Sequence, residues 1–215
     1  MTGKEPKNGG RSGKRPRKSK GRSGTALHRS EDHPASKQVK KLDEIAEALR
    51  QGEHFSVTRL TVLKGLCQDT KAAGAFALFL TRKVQKTMRA KQSEKRYRAL
   101  VNRAVRELKP YLDDLTEERT ERLRSLLHEM VEQQNEYRNI HWGAVRIIHC
   151  MDLLVAEKAL RAILRPVEAP SWLYEAARDY SERYNARYGD GLIPDSAPMV
   201  EEIAGFWRKY YGIKR

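Results

Sequence analysis

"IHWGAVRIIHCMDLLVAEKALRAIL", residues 140–164, is the longest oily stretch in the chain. Its apolar residues fall on almost every side of a helix. Arg146, His149, Asp152, Glu157, Lys158 and Arg161 interrupt them. A membrane span needs about 18–20 predominantly apolar residues, so the segment reads as a deeply buried helix instead. A helix that is apolar nearly all round must be surrounded by other elements. The core is therefore expected to centre on residues 140–164, with the rest of the chain packed against them.

Working outward, the flanking segments also read as helices. Downstream, Pro166 and Pro170 are expected to stop the oily helix, and Ser171 to cap a helix that ends near Gly189. "GDGLIPDSAP" reads as a loop. Pro198, at a first helical position, opens a last helix through about Tyr211. Upstream, Thr116 followed by Glu117 and Glu118 marks an N-terminus, because acids favour the first turn; that helix reaches about Arg138. Ser93 is expected to cap a helix striped by Tyr97, Leu100, Val101, Ala104, Val105 and Leu108, with Pro110 just past it.

Before it, Asp69 caps a helix through "KAAGAFALFLTRKVQKTM". Its small face at Ala72, Ala73, Gly74 and Ala75 suits close approach, and Phe76, Phe79 and Leu80 add bulk. Ser56 precedes a helix with Val57, Leu60, Leu63 and Leu66 spaced by three. Ser36 is the expected cap of the first helix, where Val39, Leu42, Ile45, Ala46 and Leu49 recur at helical spacing and Gly52 marks the stop.

No alternating polarity of the kind strands need appears in this pass. The fold class is therefore all-α: an irregular bundle of about seven or eight helices, with stacked helical hairpins as the other arrangement. No repeat of about 30–45 residues is convincing, which favours the irregular bundle. The 215 residues divide into a basic tail, 1–35, and a single helical domain, 36–215. Gly, Ser, Lys, Arg and Pro dominate the tail, which cannot bury enough apolar area to offset the entropy of ordering and is expected to be disordered. Within the domain, 171–215 is an aromatic-rich helical pair expected to dock on the core. No apolar stretch in the first thirty residues resembles a signal peptide. Cys67 and Cys150 have no metal-like spacing and read as small core residues of a reducing compartment.

The formal charge is +15, and it is unevenly spread. Residues 1–41 hold 13 bases and 3 acids; residues 82–109 hold 11 bases and 2 acids; the remainder is mildly acidic. Concentrated positive charge attracts polyanions. In the tail the candidate phosphate contacts are Lys14, Arg15, Arg17, Lys18, Lys20 and Arg22. In the second block they are Arg82, Lys83, Lys86 and Arg89 on one helix, and Lys95, Arg96, Arg103 and Arg106 on the next. Arg82, Lys86 and Arg89 share a face at i, i+4, i+7, and Arg96, Arg103 and Arg106 share another. An ordinary solvated helix alternates signs and makes i,i+4 pairs, so the shortage of acids here points to a polyanion.

Other chemistry finds little support. No Glu-x-x-His pair, Gly-rich phosphate loop or GxSxG occurs. "HEMVE" at 128–132 departs from the zinc motif HExxH because its fifth residue is Glu132. His141 and His149 lie about 80° apart around an ideal helix, which is poor geometry for one shared ligand. Tyr180, Tyr184 and Tyr188, with Arg183 and Arg187 between them, form either a stacking ladder for unpaired bases or a buried seam; aromatic stripes at this spacing are usually core.

The expected function is thus non-enzymatic binding of RNA, DNA or a nucleoprotein complex through a basic helical face and a flexible basic arm, without cofactor or metal. The alternative is a helical adaptor that binds an acidic protein partner. An intracellular setting is expected, cytoplasmic in a prokaryote. In a eukaryote "KRPRK" matches a nuclear-localisation pattern, a short motif with many false matches.

Overall fold

The protein is described by a computed structural model covering residues 33–54, 56–88, 95–111, 116–138, 144–188 and 196–214. These residues form eight α-helices: α1 (Ser36–Arg50), α2 (Val62–Leu66), α3 (Thr70–Met88), α4 (Lys95–Tyr111), α5 (Glu117–Arg138), α6 (Ala144–Leu164), α7 (Ala169–Tyr188) and α8 (Ala197–Tyr211). Short 3₁₀ turns precede α2 (Val57–Thr61) and α7 (Pro166–Glu168). No strand occurs among the described residues, and none of their helices is long and apolar enough to cross a membrane. The expected basic tail at 1–32, the Ser93 cap and loop residues 189–195 lie outside the described residues.

α6 packs against α3, α4, α5 and α7, as its oily sequence demands. Leu153, Val155, Ala156, Ala159, Leu160, Ala162 and Ile163 are all buried in it. α3 is a second centre. Ten of its 19 residues are buried, and it touches α4, α6, α7 and α8. The small residues Ala72, Ala73 and Gly74 lie buried along it, as their size suggested. α1 lies along α8, so the first and last helices meet. A solenoid repeat touches only its sequence neighbours; this closure makes the fold an irregular bundle, with one buried cluster drawing side chains from every helix.

Several local expectations change. Residue 35, not Ser36, is the N-cap of α1; it is Ala35, and the Ser36 N–H donates instead to His33 O at 2.8 Å. Ala35 is buried and the His33 ring sits 4.5 Å from Tyr211, so packing begins just inside the segment assigned to the tail. The helix expected after Ser56 is a 3₁₀ turn followed by the five residues of α2. The three-residue spacing of Val57 and Leu60 matches the three residues per turn of a 3₁₀ helix, while Leu63 and Leu66 fall in α2. α4 runs through Pro110 to Tyr111. α7 begins at Ala169, so Pro170 and Ser171 lie in its first turn rather than before it. Pro suits that position because its missing N–H has no helical partner there anyway.

Other caps stand as read. Asp69 Oδ2 accepts from Ala72 N–H at 3.0 Å, and Thr116 Oγ1 from Arg119 N–H at 3.4 Å. The last two helices dock separately: α7 along α6, and α8 along α1. Between them the Tyr180 hydroxyl donates to Glu202 at 3.4 Å.

Candidate functional site

α3 and α8 touch at an open cavity of about 700 Å³. Phe79 on α3 and Phe206 and Tyr210 on α8 line it, with Arg82, Lys83, Lys86 and Lys209 around them. No carboxylate lines it. Helical spacing explains each half. Phe79, Arg82, Lys83 and Lys86 recur at i, i+3, i+4, i+7 and so share one side of α3. Phe206, Lys209 and Tyr210 recur at i, i+3, i+4 and share one side of α8.

The aromatic lining is built on the core. Phe206 stacks on Phe79 at 4.6 Å between centroids, and both meet the fully buried Phe76. Tyr210 stacks on Phe206 at 6.1 Å and meets Trp207 and Tyr211 edge-on. Burial pushes the Tyr210 hydroxyl above its ordinary pKa, with a smaller push from Asp69. It therefore stays protonated, and able to donate a hydrogen bond, throughout the neutral range. Lys83 Nζ lies 5.4 Å from the Phe79 ring centroid and 2.7 Å from Glu202 Oε2. Arg82, Lys86 and Lys209 are exposed and make no ion pair among the described residues.

The second half of the basic block has a different setting. Arg96 on α4 reaches Glu136 on α5 at 3.3 Å, and Arg103 reaches Glu129 at 2.5 Å. Glu132 lines the same α4–α5 cleft. α4 has a single acid of its own, Glu107, and α5, packed beside it, supplies the carboxylates that meet Arg96 and Arg103. Lys95 and Arg106 are exposed. Lys14, Arg15, Arg17, Lys18, Lys20, Arg22 and Arg89 lie outside the described residues. The fold therefore splits one basic block into two groups: Arg82, Lys83 and Lys86 face α8, while Arg96 and Arg103 face acids.

Lys209 carried no sequence signal of its own. A lone lysine near the C-terminus is ordinary, and only the packing of α8 on α3 brings it to Arg82 and Lys86. The tyrosine ladder resolves as core where it is described. Tyr180 is buried, Tyr184 packs at its edge, and Arg183 is fully buried beside Asp152. His128 and Glu132 form an exposed i,i+4 pair at 3.1 Å. No group of three His, Cys, Asp or Glu able to hold a metal occurs among the described residues.

Comparison with known proteins finds no matching family model, no matching curated protein and no matching solved structure.

Proposed function

We propose that this protein binds nucleic acid without catalysing a reaction, through the cavity between α3 and α8, with the Lys14–Arg22 arm adding phosphate contacts. One observation carries the reading: Arg82, Lys86 and Lys209, from two helices and without an ion pair among the described residues, surround an aromatic surface that no carboxylate lines, with Lys83 beside them held by Glu202. Cations held on packed helices cannot spread apart, so their potential adds at one place. Phosphate neutralisation with release of counterions supplies the affinity. Lys95 and Arg106 are exposed on α4 and free to add phosphate contacts, whereas Arg96 and Arg103 are already engaged by α5 and contribute less. No base-reading motif accompanies these residues, so the proposed recognition is of backbone and shape. The competing occupant is an acidic protein segment, which the same cations would attract.

The test uses the full chain and labelled RNA and DNA across a salt series. Changing Arg82, Lys86 and Lys209 to Glu is expected to weaken binding at least about tenfold. It should also flatten the log–log salt slope by about 2, at about 0.7 per lost single-strand phosphate contact. A control changes Lys37, Lys40 and Lys41, exposed on α1, to Glu. Equal weakening by the control would mean that net charge alone matters, and the site assignment would fall. Binding of an acidic peptide but of no nucleic acid would replace the reading with the adaptor one.

A further inference from the structure

We infer that the α3–α8 cavity takes an unpaired nucleobase stacked on Tyr210, so that the protein prefers single-stranded to duplex nucleic acid. The inference rests on the proposed function and names the substrate class of the same site. Its starting point is the exposure of one ring. Val167 and Tyr210 are large apolar side chains exposed to solvent. Val167 stands alone in the turn before α7. Tyr210 is 38 % exposed and lies among Arg82, Lys83, Lys86 and Lys209.

Tyr210 is also fixed in place. Phe206 lies beneath it, while Trp207, fully buried, and Tyr211 hold it edge-on. A ring so held loses little further freedom when a flat partner stacks on it. The volume of about 700 Å³ lies within the range of small-ligand sites, about 300–1,000 Å³. The occupant must combine a flat apolar surface with negative charge. An unpaired nucleotide has both, and every base offers a face for stacking. A duplex hides its base faces inside the stack and can present only phosphates here. The chain's own tail is a poor occupant, because residues 1–41 carry 13 bases against 3 acids and would meet like charge. Of the aromatics on α7, Tyr180 is buried and Trp172 bonds Glu168, so neither offers this combination.

Fluorescence anisotropy with the full chain tests this, using oligo(U), oligo(dT) and a duplex of equal length at fixed salt. Tighter binding of the unpaired strands is expected. Tyr210→Ala should weaken that binding roughly five- to hundredfold while changing duplex binding less than twofold; Tyr210→Phe, which keeps the ring, should restore it. The oligo(U) and oligo(dT) arms separate RNA from DNA as the source of the base. If Tyr210→Ala leaves single-strand affinity within twofold, or duplex binds as tightly as single strand, the stacking inference is overturned. Sensitivity to Arg82, Lys86 and Lys209 substitution would then still uphold phosphate binding. Loss of all nucleic-acid binding in the unaltered chain would overturn both.

Discussion

Arg183 carries a charge into the centre of the protein, where it is 0 % exposed. Its Nε donates to Asp152, itself 1 % exposed, and Nη2 donates to the Thr87 hydroxyl. Thr87 Oγ1 in turn donates to Val84 O at 2.8 Å, so one hydroxyl both accepts and donates. Three helices, α3, α6 and α7, are tied at this point. In the sequence Asp152 is an interruption in an oily run and Arg183 a cation between tyrosines; nothing local pairs residues that lie 31 and 96 positions apart. Removing Asp152 takes the carboxylate from a fully buried guanidinium, and removing Arg183 takes a cation from a buried carboxylate. Arg183→Met alone, or Asp152→Leu alone, should cost about 3–5 kcal/mol of unfolding free energy. The double variant should lie closer to the unaltered chain than either single one, because apolar replacement of a buried pair is often neutral or better. Urea denaturation of the four proteins measures this. Equal and additive losses would show that the pair has no special coupling.

The glycines at Gly52 and Gly65 separate two reasons for having no side chain. Gly52 ends α1 with φ +87°, and its N–H donates to Leu49 O at 3.1 Å. A Cβ there would meet nothing within 4 Å, so any cost of Gly52→Ala comes from the left-handed backbone alone, roughly 1–2 kcal/mol. Gly65 sits inside α2, where a Cβ would touch Gln38 at an ordinary 3.6 Å. Gly65→Ala should therefore stabilise by about 0.5–1 kcal/mol through helix propensity. Thermal unfolding of the two variants should shift in opposite directions, and shifts of the same sign would refute the assignment. Gly52 was legible as a stop in the sequence. The shortness of α2 was less so, because a spacing of three is compatible with α and 3₁₀ turns alike.

The chain closes where its first and last described segments meet. Tyr211 stacks on Trp207, its hydroxyl donates to Leu66 O at 3.1 Å, and its ring lies 4.5 Å from His33. Burial, then the neighbouring Tyr210, Cys67 and Asp69, push the Tyr211 hydroxyl up to about 12. A raised folded-state pKa contributes stability that is whole below the unfolded value, about 10, and is lost as pH rises through the folded one. Between pH 9 and 12 the unaltered protein should therefore lose more stability than Tyr211→Phe, as read by denaturant titration at each pH. Parallel losses would mean that Tyr211 does not titrate with unfolding.

Charge distribution gives the same lesson across the bundle. Composition and hydrophobic period, being local, specify an all-α chain of about seven or eight helices, the burial of α6 and the stretches where cations concentrate. They do not specify which helix lies opposite which. Arg82 and Arg96 belong to one basic block in the chain, yet α8 offers the first an aromatic neighbour and α5 offers the second a carboxylate. Periodicity tells which residues share a face of one helix; long-range packing supplies what that face meets, and here it separates an open cationic cavity from arginines already paired.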